Sequence, residues 1–367
     1  MTTTMTNTSL LVATDGTQQS DGALRVAFAR ALEMGAKLVV LTVAVAEPVV
    51  APEMPFYMWS EAIHMWSEEI HLRRNTLREA VEAQLTRVTG RERSHPVTLL
   101  DGNPAFSIAR VAIDQRAALI VVGLGRHHVV DRMFSNETAL QLARISRVPV
   151  LAVPSTARVA PRHAVVAIDF SELSNRAAQA AIEAVGDRGR VDLVHIMPYV
   201  HEDAFSIDSR EPYERWVEEQ LDALMQQLVI PNGVEVQRVA HRGRPVSELL
   251  AHASKVGADL IVTGTHGGGF VARALLGSVT SHLIRVATCS LLTVPRDPMP
   301  AFMAAQREAL PLPGPLTSAR GGESTQRTPV YAEPVARPPS GVTSTALGES
   351  RMIFEATLPI VRRFQMP

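Results

Sequence analysis

Short apolar runs rich in Val, Ile and Leu alternate with helix-period segments along the first 295 residues, the pattern of βα units around a sheet covered on both faces. The runs predict strands near 9–14, 37–45, 96–100, 118–123 and 149–153, and again near 163–168, 190–197, 233–240, 259–263 and 290–294. Between them the spacing predicts helices over Asp21–Met34, within Trp59–Val88 and over Ser247–Val256. Gly102-x-Pro104 and Gly243-x-Pro245 fit helix openings, because proline suits a first helical turn.

The pattern occurs twice. Leu11-Val-Ala-Thr-Asp15 returns as Val165-Val-Ala-Ile-Asp169, with a hydroxyl two residues later at Thr17 and Ser171. Ala118-Leu-Ile-Val-Val-Gly123 returns as Asp259-Leu-Ile-Val-Thr-Gly264, and each glycine lies 31 residues before the proline that ends the closing strand, Pro154 or Pro295. Copies this long are whole domains rather than solenoid units. The expected fold class is therefore α/β, with two tandem doubly wound five-stranded parallel-sheet domains over residues 1–155 and 161–296. Their last strands are otherwise exposed edges, so the copies are expected to pack as an intramolecular pseudo-dimer. Residues 297–367 are rich in proline without an apolar period and read as a disordered tail.

Charge narrows the partners. Lys+Arg of 36 against Asp+Glu of 37 gives a net charge of −1, so neither nucleic acid nor an anionic membrane is expected to bind the chain as a whole. The single cysteine, Cys289, excludes an internal disulfide framework and suits a reducing compartment, and no leader or spanning segment is read at Met1–Ser9 or Leu38–Ala46; the cytoplasm is expected. Only Lys37 and Lys255 are lysines, which leaves little room for a phosphate-gripping or Schiff-base lysine.

Ligands of an open parallel sheet bind outside the carboxyl ends of its strands. In copy two, Asp169 follows the first strand, and Gly264-Thr-His-Gly267 follows the fourth and leads to Gly277-Ser-Val-Thr-Ser281 at a helix start. Glycines admit phosphate to the backbone, a helix N-terminus with Ser278 and Thr280 hydroxyls suits an anion, and a carboxylate suits ribose hydroxyls.

Gly264, Gly267, Gly277 and Ser278 form Gly-x2-Gly-x9-Gly-(Ser/Thr), and with Ile168-Asp-Phe-Ser171 and Val194-His-Ile196 the chain resembles the universal stress protein family across residues 8–295. The resemblance implies strand order 3-2-1-4-5 and an ATP site, with or without Mg2+, lined by Asp169, Ile196, Thr263, Gly264, Gly267, Gly277, Ser278, Val279 and Thr280. His266 is placed near the phosphates. The implied role is an adenine-nucleotide-binding stress protein that regulates or interacts with an unidentified protein partner. A nucleotide-independent scaffold and a slow ATP hydrolase are the alternatives, and assembly of chain with chain is left open.

Copy one departs from the motif: after Gly123, the corresponding positions hold Arg126, Asn136 and Glu137. A carboxylate at a helix start repels phosphate, although Arg126, His127 and His128 add positive character. Plainer readings stand beside these. Ser278, Asn136, Asp15 and Asp169 all suit helix caps, Gly267–Gly269 a flexible turn, and Cys289 an inert core-strand neighbour. Phe56, Met58, Trp59, Ile63, Met65, Trp66 and Ile70 suit core packing. His195, His241, His252 and His266 lack metal-ligand spacing on a helix and suit surface or packing roles.

Overall fold

A computed structural model describes residues 8–45, 59–90, 95–125, 136–197, 210–266 and 276–296, with side chains of 59–66 and 210–211 left aside. These residues all lie within one compact unit, Met1–Leu312. The tail, Phe56 and Met58, Arg126–His128 and Gly267–Gly269 lie outside the described residues, as do the side chains of Trp59, Ile63, Met65 and Trp66.

Copy one runs β1 (Ser9–Ala13), α1 (Asp21–Met34), β2 (Lys37–Ala44), α2 (Trp59–Thr89), β3 (Val97–Asp101), α3 (Pro104–Asp114), β4 (Ala117–Leu124), α4 (Asn136–Ile145) and β5 (Val150–Pro154). Copy two repeats it as β6 (His163–Ile168), α5 (Glu172–Val185), β7 (Arg190–Met197), α6 (Arg210–Gln227), β8 (Glu235–Arg242), α7 (Pro245–Val256), β9 (Leu260–Gly264), α8 (Ser278–Val286) and β10 (Ser290–Val294). The strands form one ten-stranded sheet, β3-β2-β1-β4-β5-β10-β9-β6-β7-β8, so each copy has the expected 3-2-1-4-5 order. Within a copy all pairings are parallel. The copies meet where β10 runs antiparallel to β5, with Leu291 opposite Ala152 and Leu292 opposite Leu151.

Burial explains why the central strands read as unbroken apolar runs: β1 and β10 are buried at every position. One cluster under α1, α2, α5 and α6 includes Leu24, Val81, Ile182 and Leu221. The other, under α3, α4, α7 and α8, includes Ile108, Leu140, Leu249 and Leu283. At ~25 cal/mol per Å² of apolar surface removed from water, these two layers dominate the favourable side of folding. Polar contacts add to the joint: Arg30 Nη2 donates to Glu183 O at 2.9 Å, and Arg162 Nη2 lies 3.1 Å from Glu33 Oε1.

Local chemistry sets helix ends. Asn103 caps α3 by accepting from Phe106 N at 3.2 Å with Pro104 in the first turn, and Pro245 stands in the first turn of α7 after Arg244, which makes no side-chain cap bond, so both prolines punctuate a helix start. Strand β8 is displaced by two residues from the expected span, ending at Arg242 where its pairing with Met197 of β7 ends. Among the described residues no helix is long and apolar enough to cross a membrane.

Candidate functional site

Strands β6 and β9 pair side by side, with Val166 opposite Val262, so the turns leaving their carboxyl ends share one crevice. On the β6 side, Asp169 is exposed, and its Oδ1 accepts from Ser171 N at 3.1 Å and Ser171 Oγ at 2.5 Å. Ser171, not Asp169, caps α5, accepting from Ser174 N at 3.2 Å. The carboxylate instead fixes the turn before the cap. Phe170 between them has φ +61°, the left-handed region that a bulky residue adopts only when held. Its ring meets His195 at 4.5 Å and the edge of Trp216 at 5.3 Å.

On the β9 side, Gly277 N donates to Thr265 O at 2.8 Å, and Thr280 Oγ1 donates to Gly264 O at 2.7 Å. Thr263 Oγ1 lies 2.9 Å from Thr280 Oγ1, and both threonines are 3% exposed. These hydroxyls therefore brace the strand end against α8. The cap of α8 is Gly277, which brings no side chain, so Ser278 is the first helical residue rather than a cap. The first amides of a helix have no acceptor within it, and here no capping side chain supplies one. Ser278 is exposed, Val279 is half-buried against the second cluster, and the first turn of α8 holds no acid. The N-terminus of α8 thus carries the positive end of the helix dipole, with no cap side chain and no acid in its first turn.

Gly264 has a second reason to be glycine. A Cβ there would come within 2.6 Å of Leu173 Cγ. His266, in the turn after β9, has Nδ1 3.0 Å from Thr265 Oγ1 and a buried Nε2 with no hydrogen-bond partner among the described residues. Ile196, half-buried on β7, packs on the same cluster as Val279. The structure therefore gathers Asp169, Thr263, Gly264, His266, Gly277, Ser278, Val279 and Thr280 at the β6 and β9 ends, with Ile196 one strand further out. Gly267 lies outside the described residues.

Copy one is built differently at the matching places. Asp15 is 7% exposed, and its Oδ1 accepts from Thr17 N at 3.0 Å, Thr17 Oγ1 at 2.8 Å and Ser20 Oγ at 2.7 Å. Gln84 of α2, fully buried, accepts from Thr14 Oγ1 at 2.6 Å and donates to Thr17 O at 2.6 Å and Asp21 Oδ1 at 2.9 Å. Arg87 completes the network at 2.8 Å from Asp21 Oδ1; although burial acts upward on the Asp21 carboxyl, the Arg87 and Gln84 bonds carry it below the ordinary aspartate value. Helix α4 opens with Asn136, whose Oδ1 is buried with no hydrogen-bond partner among the described residues, and has Glu137 in its first turn.

The histidines follow packing in part. His195 is 9% exposed, and burial holds its pKa below the ordinary histidine value, against the opposing influence of Ile168 O and Asp169. Its Nδ1 lies 2.9 Å from Ile168 O. His241 and His252 instead join a chain that sequence spacing did not reveal: His241 Nε2 to His252 Nδ1 is 3.0 Å, and His252 Nε2 to Asp192 Oδ2 is 2.9 Å. A charged residue in the apolar strand Arg190-Val-Asp-Leu-Val-His-Ile-Met197 was the available signal. Among the described residues no group of three His, Cys, Asp or Glu is placed to hold a metal ion. Burial pushes the Cys289 thiol up to about 11, which makes it a poor nucleophile.

Fold and site together define a tandem α/β sandwich whose second half carries a glycine-capped helix start beside the end of β9. The model of the universal stress protein family matches residues 6–154 and again 161–295, and the chain belongs to that family. It is 28% identical over 300 residues to a universal stress protein of Mycolicibacterium smegmatis, covering 79% of this chain and 97% of that one. Universal stress protein A homolog 1 of Coxiella burnetii is 30% identical over 138 residues, 36% of this chain and 95% of that one. Among solved structures, a functionally unknown protein from Pseudomonas aeruginosa PAO1 shares the fold, with TM-score 0.51, 16% identity and coverage of 82% of this chain and 96% of that chain.

Proposed function

We propose that copy two binds ATP and that copy one does not, making the chain a nucleotide-responsive regulatory or interaction module rather than primarily a catalyst. The observation that carries this reading is the α8 start: a glycine cap, unopposed amides and an exposed Ser278 hydroxyl, held to the end of β9 by Gly277 N–H on Thr265 O and Thr280 Oγ1 on Gly264 O. Such an end suits the dispersed negative charge of a polyphosphate. The triphosphate would lie on the Gly264–Gly267 turn and the Gly277-Ser278 amides, within reach of His266. Asp169 would take the ribose hydroxyls and Ile196 the base. Any Mg2+ would arrive with the triphosphate.

Copy one supports the selectivity. Its aspartate is buried under three donors, and an acidic residue stands in the first turn of the matching helix. A nucleotide-independent scaffold and a slow hydrolase remain the competing readings. Native mass spectrometry of the purified full-length chain and calorimetry of its Gly277→Leu variant test the proposal. The expected result is one ATP per chain, lost in the variant while the fold is retained. ATP affinity unchanged by Gly277→Leu would place the site elsewhere and favour the scaffold. Sustained phosphate release that Ser278→Ala abolishes would favour the hydrolase.

A further inference from the structure

Asp192 is 1% exposed on β7, and its carboxylate accepts from Arg190 Nε at 3.2 Å on Oδ1, while His163 Nε2 lies 3.4 Å from Oδ2 without a hydrogen bond. His252 Nε2, 2.9 Å from Oδ2, is therefore the donor in that contact. A neutral imidazole carries one N–H, so His252 Nδ1 is an acceptor, and His241 Nε2, 3.0 Å away, must donate to it. That fixes the His241 tautomer and leaves its Nδ1 as a lone pair. The chain Asp192–His252–His241 thus leads from the buried strand centre to a half-exposed ring at the carboxyl end of β8.

The place where it ends matters. His241 pairs with Ile196 across β7 and β8, and paired residues of neighbouring parallel strands point to the same face of the sheet. That face carries α7 and α8. Resting on the ATP reading of copy two, we propose that His241 is a base-reading residue whose Nδ1 lone pair selects a 6-aminopurine over a 6-oxopurine, and that His252 and Asp192 are positioning residues that hold this tautomer. A 6-amino group is a donor and meets the lone pair. A 6-oxo group is an acceptor and leaves two lone pairs opposed in a partly desolvated site, which the usual asymmetry of unmade hydrogen bonds makes unfavourable.

The same device carries a sign with pH. Protonation of His241 turns Nδ1 into a donor, so the preference for a 6-amino group fades as the ring takes up a proton. Burial, followed by the neighbouring His252, lowers the His241 pKa below the ordinary value, with Glu248 acting upward and Lys255 downward. Among the described residues, the ionisable groups facing this ring are Glu248, His252 and Lys255 of α7, with Asp192 of β7 reached through His252 and Arg190 and His163 lying beyond it.

The test is calorimetry of the full chain with ATP and with ITP, its 6-oxopurine counterpart, at pH 8 and pH 5. Wild type is expected to favour ATP by about tenfold at pH 8, the worth of one net hydrogen bond. The ratio falls toward one at pH 5, in His241→Phe, and in His252→Phe, and long-range nitrogen–proton NMR finds the His241 proton on Nε2 in the wild type alone. The pH 5 arm needs no variant and covers loss of folding in either substitution. ATP bound with a ratio unchanged by pH and by His241→Phe overturns this inference alone. Failure of wild type to bind ATP overturns the ATP reading as well.

Discussion

Asp15 and Asp169 stand in the turns that follow the first strands of the two copies, yet Asp15 is buried under three hydrogen bonds while Asp169 is exposed at the crevice. The difference bears on any attempt to give copy one a site. Arg126→Gly with Asn136→Gly and Glu137→Ser rebuilds the glycine motif and removes the acidic first turn, but leaves the Asp15 oxygen occupied by Thr17 and Ser20. Calorimetry is expected to show a second ATP equivalent that binds more weakly than the first. A second site of equal affinity would mean that the buried aspartate imposes no barrier.

Gln84 carries four polar contacts from α2 to the β1 turn and the start of α1, with Thr14, Thr17, Ser20 and Asp21. Gln84→Leu keeps the volume and deletes all four contacts, while Thr14 Oγ1 keeps Ser20 Oγ, Thr17 O keeps Ser20 N and Asp21 keeps Arg87. A loss of about 1–3 kcal/mol is expected, at about 0.5–1.5 kcal/mol for each net hydrogen bond lost. Urea denaturation checks this, and a loss under about 0.5 kcal/mol, the size of an ordinary surface substitution, would show that water takes over the contacts.

Gly264→Ala is expected to cost about 1–3 kcal/mol by overpacking, because its Cβ would come within 2.6 Å of Leu173 Cγ. Gly123→Ala should cost less, its nearest neighbour being Ser20 Cα at 3.3 Å. The double substitution Gly264→Ala with Leu173→Ala makes room for the methyl and is expected to destabilise by less than the sum of the singles. Additive losses in the same denaturation series would mean that Leu173 is not the obstacle.

These contacts also show what the sequence could and could not convey. Central strands such as β1 and β10 were legible because burial on both faces forbids polar interruptions. Edge strand β8 was misplaced by two residues because it is mostly solvated, so pairing with β7 sets its end rather than an apolar run. Gly264 was legible as part of a phosphate motif, but its packing against Leu173 was not, because that contact joins residues 91 positions apart. The Asp192–His252–His241 chain unites residues 60 and 11 positions apart on three elements, a proximity that helical or strand periodicity does not encode.

Burial that lowers the His195 pKa also makes stability depend on pH. The folded value lies below the unfolded one, so the unfolded chain binds protons first and stability falls as pH drops through the ordinary histidine range near ~6.5. His195→Phe removes this proton uptake. Urea midpoints between pH 7.5 and pH 5 should then decline less steeply than in wild type, even though the Ile168 carbonyl loses its partner. Equal slopes would assign the acid sensitivity to other groups, His241 among them.

The antiparallel seam between β5 and β10 has a consequence for stoichiometry. Two separate chains meeting through such an edge would sort by mass action into like and unlike pairs, at ratios set by synthesis and dilution. Here the linker holds the partners at a fixed effective concentration, so the mixed pair forms in every molecule. Each chain therefore presents one half with a buried aspartate and one with an exposed one, in strict equality, and a partner that spans the seam meets the same asymmetric face whatever the abundance of the protein.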